Sequence, residues 1–488
     1  VYNYSAPERV VNIYTHNNKD WDQFKVRDII VGYVKSHKVR FEKDNYDVYY
    51  TSIPNFKPDC DFGGHDGDVW YKVDNTNIAT VDNGGKVTFR RPGTVVLTAT
   101  CDASKNCAKA QCSTTVNMMR DRVTFTAEGL PDVIFSNDSY NLREYLKRKA
   151  QSGRDFDQYN SGFSVTSSNP DVLRYDGRWL KFGGTSGEAT ITLRQEQNNY
   201  YEATTFSHTF IVMRCEGGTV LIKDANEWKL FCKLVNEKGL PRLNARLEAD
   251  IDLGNNSMMV GTNNHKYAGT FDGNGHTLTV HVVGAGQGTA PFHRTDDATI
   301  KNLTIASGKV EGDHIIGGIV GVGMNGTKII NCHTGKDYVV NCHRFYGGGI
   351  VGGLIAGAAS EIADCTNDAP LTCYLGITGG IVGSNAQDGT KIERCGNRAT
   401  ITEHSTNTGG IIGQIIRSVS IKDCYNTGEV SALNEQGATD GTIGGIIGST
   451  AETNDGSIIE ITNCYQAGAL IYSSPTLMDP IVPGSFPT

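Results

Sequence analysis

The feature that most constrains the fold of this chain is a repeat that runs from Ile300 to Leu470 and is read six times with variations. Five copies contain a glycine pair, two branched residues and a third glycine, and they recur every 30 to 35 residues. A period of this length, without apolar residues at helical spacing inside it, predicts stacked coils of β-structure. The five glycine motifs are Gly317 to Gly321, Gly348 to Gly352, Gly379 to Gly383, Gly409 to Gly413 and Gly444 to Gly448.

A second motif of the repeat is an isoleucine with a cysteine three residues later. Alternate side chains of a strand face opposite sides, so both residues can point inward only if the chain bends between them. The residue before the cysteine is Asn or Asp except at Arg394, and Asn and Asp tolerate the left-handed backbone of a sharp corner. The pairs are Ile329/Cys332, Ile362/Cys365, Ile392/Cys395, Ile421/Cys424 and Ile461/Cys464, after an opening Ile300/Leu303.

A third apolar column follows each corner and predicts three short strands in every coil. Its members are Val310, Val339, Leu371, Ile401, Val430 and Leu470.

The thirteen cysteines fall into groups with different expected roles. In the repeat they would stack about 4.8 Å apart with parallel side chains, whereas a disulfide needs side chains that face each other. We therefore expect this column to act as small buried hydrophobic residues. In an exported protein, Cys101, Cys107 and Cys112 could supply one local bridge, and Cys215 with Cys232 is a weaker candidate pair.

The first two hundred residues show short branched runs separated by turn residues, which predicts two tandem β-sandwiches over 1–119 and 120–214. The clearest strands are 75–81, 85–89 and 94–100 in the first copy, and the plan returns from Ser167 to Leu193. The Ser-Asn-Pro-Asp-Val run resembles the bacterial group 2 immunoglobulin-like domain. That resemblance implies a spacer without chemistry of its own. Leu142 to Ala150 is predicted to be helical and departs from the pattern.

A helix is predicted over Lys223 to Lys238, because Trp228, Phe231, Leu234 and Val235 recur at intervals of three and four residues and Gly239 follows as a stop signal. We expect the helix, placed within about 223–239, to cap the open end of the coils. The proline-rich tail from 475 to 487 is predicted to cover the other end.

The order of sequence motifs after this helix resembles that of the repeat proteins named for the GLUG motif, and the resemblance covers about 215–470. Leu247 to Leu253, Tyr267 to Leu278 and Ala298 to Ile305 precede the glycine motifs in the expected order. The resemblance implies a right-handed parallel β-helix in a bacterial surface or secreted protein. The fold class expected for the whole chain is all-β: two immunoglobulin-like sandwiches, then a β-solenoid over 215–488.

The charge balance of 45 basic and 53 acidic residues, a net charge of −8, argues against nucleic-acid binding. The sequence has no apolar run long enough to span a bilayer. We expect an extracellular or bacterial cell-surface location, with a leader peptide removed and a lipid anchor, where one exists, outside the given sequence.

Candidate binding residues come from the glycine motif and from two tyrosines. If the first branched residue of each motif faces inward, alternation turns the second outward and creates an apolar stripe. The alternatives are internal covering of the stripe or the opposite register. Tyr425 and Tyr465 follow the cysteine column at matching positions and could stack on sugar rings. The predicted stripe contains Val320, Val351, Val382, Ile412 and Ile447.

Metal sites are only weakly indicated. Asp59, Asp61, Asp66 and Asp68 surround Gly63-Gly64 and form a weak calcium candidate without the EF-hand pattern. The pairs Cys332-His333 and Cys342-His343 imitate zinc ligands, but their spacing is unusual and Cys332 belongs to the inward column.

No catalytic motif is present, and no cofactor is expected. Charges beside the corner are interpreted as a solvated, ion-paired edge, and they are Glu361, Asp364, Glu393, Arg394, Lys422 and Asp423. The favoured function is a non-enzymatic adhesin-like surface protein whose β-helix binds a glycan or protein. The alternative is a polysaccharide-active lyase or hydrolase on the β-helix.

Overall fold

The computed structural model describes residues 36–49, 55–153, 162–255, 257–284, 286–405, 407–433, 442–451, 456–472 and 478–479. These residues are nearly all β-structure, with helices at Leu142–Tyr145 and Ala225–Asn236. They divide into two compact units. One comprises residues up to 125 with 148–162 and 195–204, and the other comprises 126–147, 163–194 and the chain from 205 onward.

The first unit contains a sandwich around Phe41, Val95, Leu97 and Val116. Its strands alternate as the sequence predicts: Val95 and Leu97 are buried while Val96 between them is 37% exposed. One sheet contains Asn45–Tyr49, Ala110–Met119, Gly93–Cys101 and Val69–Val73. The other contains Asn55–Phe56, Val87–Phe89 and Ala79–Val81, and Arg40–Phe41 pairs with Cys60–Asp61.

A second sandwich follows, with its core around Ile134, Leu173, Leu180 and Phe210. The helix expected over Leu142 to Ala150 is confirmed only for its first four residues, and Leu146–Ala150 is a strand. Tertiary packing overrides the local helical preference there, since both apolar ends of that strand are buried. The strands are Val123–Ala127, Val133–Phe135, Ser139–Asn141, Ser164–Ser167, Leu173–Tyr175, Trp179–Phe182, Gly187–Gln195 and Thr204–Met213.

The repeat folds into a parallel β-solenoid, as predicted, but each coil contributes to four sheets rather than three. We call them sheets A to D in the order in which a coil passes through them. Sheet A contains Cys215–Glu216, Thr219–Ile222, Asn244–Leu247, Thr270–Asp272, Thr299–Lys301, Lys328–Ile330, Glu361–Ala363, Thr390–Glu393, Val419–Lys422 and Ile459–Thr462.

Sheet B is continuous in the early coils and splits into two short strands per coil later. It contains Ile251–Asn255, Thr277–Gly284, Thr304–Gly312 and His333–Cys342, then the rows Thr366–Asn367, Gly396–Asn397, Tyr425–Asn426, Tyr465–Gln466 and Leu371–Cys373, Ile401–Glu403, Val430–Ala432, Leu470–Tyr472.

Sheets C and D complete each coil on either side of the glycine motif. Sheet C contains Gln287–Thr289, Ile315–Gly317, Phe345–Gly348, Gly376–Gly379, Thr408–Gly409, Ile443–Gly444 and Met478–Asp479. Sheet D contains Phe292–Asp296, Val320–Met324, Val351–Ala356, Val382–Asn385, Ile412–Ile415 and Ile447–Thr450.

The bend between sheets A and B is confirmed, and we call it the Asn/Asp corner. Its six residues have φ between +53° and +57°, and Arg394 adopts the same left-handed conformation as the Asn and Asp residues. Coil stacking therefore imposes the corner even on a side chain that does not favour it. The six residues are Asn302, Asn331, Asp364, Arg394, Asp423 and Asn463.

The third apolar column is confirmed with one change of register. Val340, and not Val339, aligns with Val310 and Leu371 and is fully buried. The sequence spacing is misleading here because the strand His333–Cys342 pairs with a register shift that accommodates extra residues.

The helix Ala225–Asn236 packs on the first coils, as expected for a cap. Asp224 begins it by accepting a hydrogen bond from the Glu227 amide at 2.9 Å. The Trp228 ring lies 5.7 Å from the Phe271 ring, and its indole nitrogen donates to the Met258 carbonyl at 2.9 Å. The covering role predicted for 475–487 lies outside the described residues, apart from the backbone of the strand Met478–Asp479.

Candidate functional site: an aromatic corner of the solenoid

The predicted exposed stripe of the glycine motif is wrong, because all five of its members are buried at 0% exposure. The motif straddles the bend between sheets C and D instead of lying in one strand. In the second coil, for example, Gly348 ends a strand, Ile350 lies in the bend and Val351 begins the next strand. Alternation therefore does not apply, and both branched residues face the core. The corrected residues are Val320, Val351, Val382, Ile412 and Ile447.

Exposed aromatic residues are found at a different bend, between sheets B and C, which we call the aromatic corner. Its residues come from four successive coils, and its rings occupy two rows that are separated by the position of Leu375. Phe345 is 52% exposed, Tyr374 46% and Leu375 43%. The aromatic corner comprises His314, His343, Phe345, Tyr374, Leu375 and His404.

One row follows from the register of sheet B. Cys342 and Cys373 are aligned inward-facing residues at the ends of their strands, so the residues after them lie one above the other. The His343 and Tyr374 rings lie 6.0 Å apart with 63° between their planes, and Tyr374 stacks on His404 at 5.0 Å with 14° between the ring planes. This row is a continuous aromatic ladder across three coils.

The other row centres on Phe345, which stacks on His314 at 5.2 Å with 10° between the rings. The residue aligned with Phe345 on the following coil is Gly376. A Cβ at that glycine would lie 2.4 Å from the Phe345 carbonyl oxygen, so the close backbone approach requires glycine. No side chain from this position therefore covers the Phe345 ring on that side.

Phe345 also has a strained backbone, with φ of +66°. A left-handed conformation costs about 1 to 2 kcal/mol for a residue other than glycine, and it is a marked outlier for an aromatic one. The aligned residues His314 and Gly376 are not left-handed, so stacking of coils does not impose this conformation. Strain of this kind concentrates at functional positions.

Hydrogen-bonding groups lie next to the rings. Nδ1 of His343 lies 3.0 Å from the Asp313 carboxylate and its Nε2 lies 3.4 Å from the Glu311 carboxylate. The Lys309 ammonium pairs with Glu311 at 3.1 Å. The corner therefore combines apolar ring surface with donors and acceptors at one edge.

A buried carboxyl group supports the corner from inside. Glu403 accepts hydrogen bonds from the Thr378 hydroxyl at 2.6 Å, the Ser405 amide at 3.1 Å and the Gly376 amide at 3.3 Å. Burial raises the pKa of Glu403 above its usual value despite these donors. Two of these bonds hold the backbone amides that follow Tyr374 and His404 in the chain.

The two tyrosines singled out in the sequence lie at the Asn/Asp corner side of sheet B. Their rings stack at 5.6 Å with 14° between them, and Tyr465 is 55% exposed. The Tyr425 ring also covers Gly396, where a Cβ would lie 2.2 Å from the ring. A sugar-binding role for Tyr425 and Tyr465 stays a prediction.

The four aspartates of the calcium candidate are engaged separately. Asp61 accepts from the Gly63 amide at 2.9 Å, and Asp66 accepts from Ser104 and, at 2.8 Å, from Asn106. These hydrogen bonds hold the pKa of Asp66 well below its usual range. Asp59 and Asp68 contribute backbone carbonyls that accept from the amides of Glu42 and Asp102 respectively.

Within the described residues, metal-ligating atoms approach one another within 4.8 Å at His65, Asp66 and Cys107, and Asp66 alone of the four aspartates belongs to that group. Both nitrogens of His65 are already used, one with the Gly67 amide at 3.0 Å and the other with the Ala108 carbonyl at 2.8 Å. The loop holds itself together by hydrogen bonds.

The remaining sequence candidates have structural partners. The imidazole of His333 lies 2.8 Å from the Thr366 hydroxyl, while Cys332 faces the core. Arg394 forms paired contacts of 2.6 and 2.9 Å with Asp364 and one of 3.0 Å with Glu393. The interpretation of these charges as an ion-paired edge is confirmed for those three residues.

The sequence reading missed a buried asparagine ladder, which lies two residues after the cysteine column. Asn367 donates to Asn397 at 2.8 Å, and Asn397 donates to Asn426 at 2.7 Å. A Cβ on Gly380 would lie 2.6 Å from the Asn397 side chain, so the second glycine of the motif leaves room for the ladder. The recurring Cys-x-Asn phrase at 365, 395 and 424 was the available signal.

Comparison with known proteins identifies one domain of the chain. Residues 60–103 match the family model described as the intimin immunoglobulin-like domain. This match confirms the immunoglobulin-like character of the first sandwich. The family that matches is the intimin domain, and not the bacterial group 2 domain that the sequence was found to resemble. No curated protein matches the chain. The GLUG resemblance stays a prediction.

Several solved structures are similar at low identity. One is described provisionally as an immunoglobulin A1 protease from Bacteroides ovatus: 22% identity, 54% of this chain, 79% of that chain and a TM-score of 0.44. Another, titled IgA1 protease, has 17% identity over 74% of this chain and 28% of that one, with a TM-score of 0.39. The surface layer protein SbsC has 16% identity over 33% and 23%, with a TM-score of 0.21. At these scores the similarities carry no functional argument. Among the described residues, no helix has the length and apolar character needed to cross a membrane.

Proposed function

We propose that this protein is a non-enzymatic extracellular surface protein whose solenoid binds a glycan at the aromatic corner. The observation that supports this most directly is the exposure of Phe345 and Tyr374 on adjacent coils, with Phe345 held in a strained backbone. Sugar rings have apolar faces that pack on aromatic rings and hydroxyl groups that need hydrogen-bonding partners. The aromatic corner offers both.

The immunoglobulin-like match and the solenoid support the extracellular part of the proposal. Residues 60–103 match the immunoglobulin-like domain of intimin, and immunoglobulin-like sandwiches recur in many cell-surface proteins. A protein ligand is the other partner class that an exposed aromatic patch fits. We favour a glycan, because the rings form a narrow row edged by carboxylates and imidazoles rather than a broad apolar patch.

The test is binding of the full chain to a panel of purified polysaccharides by affinity electrophoresis and calorimetry. Phe345→Asn keeps a residue that tolerates the left-handed backbone and removes the ring. This variant and Tyr374→Ala should each weaken glycan binding about tenfold, with melting temperatures close to that of the wild type. Trp70→Ala removes an exposed aromatic from the first sandwich and serves as the matched control.

The possible outcomes separate the candidate sites. Binding that is lost in Tyr465→Ala and kept in Phe345→Asn would move the site to the tyrosine pair. Absence of binding to every polysaccharide would overturn the glycan proposal. A reducing-sugar and unsaturated-product assay on the same panel addresses the enzymatic alternative, since turnover that depends on outward carboxylates would favour a lyase or hydrolase.

A further inference from the structure

Two cysteines of the first sandwich are distant in the sequence but lie close together in the structure. Cys60 lies in the strand Cys60–Asp61 and Cys112 in the strand Ala110–Met119, and their sulfur atoms are 3.7 Å apart. Both side chains are partly buried and pack against the core of the sandwich. We propose that Cys60 and Cys112 form a disulfide bond when the protein folds in an oxidising compartment.

The other cysteines of this domain are placed less well for the bond. Cys101 is aligned with Ala110, so it is diagonal to Cys112 across the strand pair. Diagonal Cα atoms are about 7 to 8 Å apart, which exceeds the span of an unstrained disulfide. Cys107 lies with His65 and Asp66 in the neighbouring loop. The sequence predicted a bridge among Cys101, Cys107 and Cys112. The geometry favours a bridge between Cys112 and Cys60 instead.

The cysteine column of the solenoid provides an internal contrast. Its thiols point to backbone carbonyl groups, as from Cys365 to the Ala363 oxygen of its own coil at 3.2 Å and to the Ile329 oxygen of the preceding coil at 3.5 Å. Parallel stacking gives these side chains the same direction, so their sulfurs do not face one another. Cys60 and Cys112 come from strands of different sheets, and their sulfur atoms lie 3.7 Å apart.

The oxidant belongs to the class of small or protein disulfides, of which glutathione disulfide is the simplest. The Cys112 thiolate attacks one sulfur of that disulfide, giving a mixed disulfide and releasing one glutathione thiolate. The Cys60 thiolate then attacks the Cys112 sulfur and releases the second. Two electrons pass to glutathione disulfide, and the protons lost by the protein thiols are taken up by the two glutathione thiolates.

The disulfide should form while the domain folds rather than afterwards. Burial and the neighbouring Cys112 raise the pKa of Cys60 to about 12, so little thiolate is available in the native domain. Both thiols are accessible and ionise normally in the unfolded chain. The reduced native protein should consequently oxidise slowly, whereas refolding in glutathione buffer should give the bond readily.

The test uses the full chain, reduced and unfolded in denaturant, and then refolded with reduced and oxidised glutathione. Mass spectrometry of a non-reducing digest should find a peptide that joins Cys60 to Cys112, and alkylation of both should be lost. Dithiothreitol should lower the melting temperature of the refolded wild type but not that of Cys60→Ser. Cys107→Ser is the matched control and should keep the linked peptide.

Other results would overturn the assignment. Full alkylation of Cys60 and Cys112 after oxidative refolding would show that they stay reduced, and a linked peptide that contains Cys101 or Cys107 would show a different pairing. The peptide map of the wild type decides between these outcomes even if the Cys60→Ser variant does not fold. Neither outcome depends on glycan binding, so the disulfide and the binding proposal stand or fall separately.

Discussion

The two bends on either side of sheet B differ in what repeats. At the Asn/Asp corner all six coils use the same backbone conformation, and in five of them a cysteine follows it. At the aromatic corner the aligned residues Asp313, His343, Tyr374 and His404 differ from coil to coil. Residues that stacking requires are repeated, whereas the exposed rings are additions that stacking does not need. The irregular bend is therefore where a binding function is to be sought.

The largest effect should come from a charge on an inward column, in contrast to the same charge on the aromatic corner. Ile381→Asp places a carboxylate without a partner in the core, at a position with 0% exposure. We expect the free energy of unfolding to fall by at least about 4 kcal/mol, measured by denaturant titration. Leu375→Asp, at 43% exposure, is the control and should change it by less than about 0.5 kcal/mol. Similar losses in both variants would remove the distinction between the corners.

Interruption of the asparagine ladder should have the next largest effect. Asn397→Ala removes the acceptor of Asn367 and the donor to Asn426, and leaves buried polar groups unpaired. The expected loss is about 2 to 4 kcal/mol in the free energy of unfolding. Gln466→Ala, at the partly buried end of the ladder, should cost about half as much. An equal cost at the two positions would mean that the ladder is not a cooperative buried network.

A smaller effect concerns pH and the carboxyl group behind the aromatic corner. The pKa of Glu403 is raised in the folded protein, so the folded state holds its proton to a higher pH than the unfolded state does. The stability from this group is complete below its unfolded pKa, about 4.3, and falls as pH rises through the folded value. Glu403→Gln should flatten that decline when unfolding is followed by denaturant titration at a series of pH values. Glu460→Gln, at an exposed position, is the comparison, and an unchanged slope in Glu403→Gln would contradict the prediction.

The smallest effect tests the exception at the Asn/Asp corner. Arg394→Asn restores the residue type that tolerates φ of +54°, which should gain about 1 kcal/mol. It also removes surface ion pairs to Asp364 and Glu393, which contribute little to stability because they are exposed to solvent. We expect the free energy of unfolding to change by no more than about 1 kcal/mol. At high salt the loss of the ion pairs should destabilise the variant less, because salt screens them. A loss of several kcal/mol would show that Arg394 has a further structural role.

Much of the solenoid could be predicted from local rules. The bend before each cysteine followed from the three-residue spacing and the Asn and Asp residues, and all six bends are present. Helix Ala225–Asn236 followed from its apolar spacing and from the stop signal at Gly239. These features depend on a few neighbouring residues, so the sequence contains the necessary information.

The errors arose where the outcome depended on a bend or on strand pairing that the sequence does not display. Val351 was predicted to face outward because the glycine motif was treated as one strand, and the bend after Gly348 reverses that conclusion. Val339 was taken for Val340 because a register shift is invisible without the paired strand. The contact of Cys60 with Cys112 joins strands more than fifty residues apart.

The sequence by itself determined that the part of the chain after the two sandwiches is built from stacked coils, since a repeat of about 30 residues can bury its apolar side chains only against its own copies. It also indicated the bend at the five corners where Asn or Asp tolerates the left-handed backbone, whereas coil stacking imposes the same bend at Arg394. Tertiary structure alone decided which side chains remain exposed and which rings and thiols meet. Those relations depend on strand register, because Phe345 and His314, like Cys60 and Cys112, become neighbours only after distant segments pair.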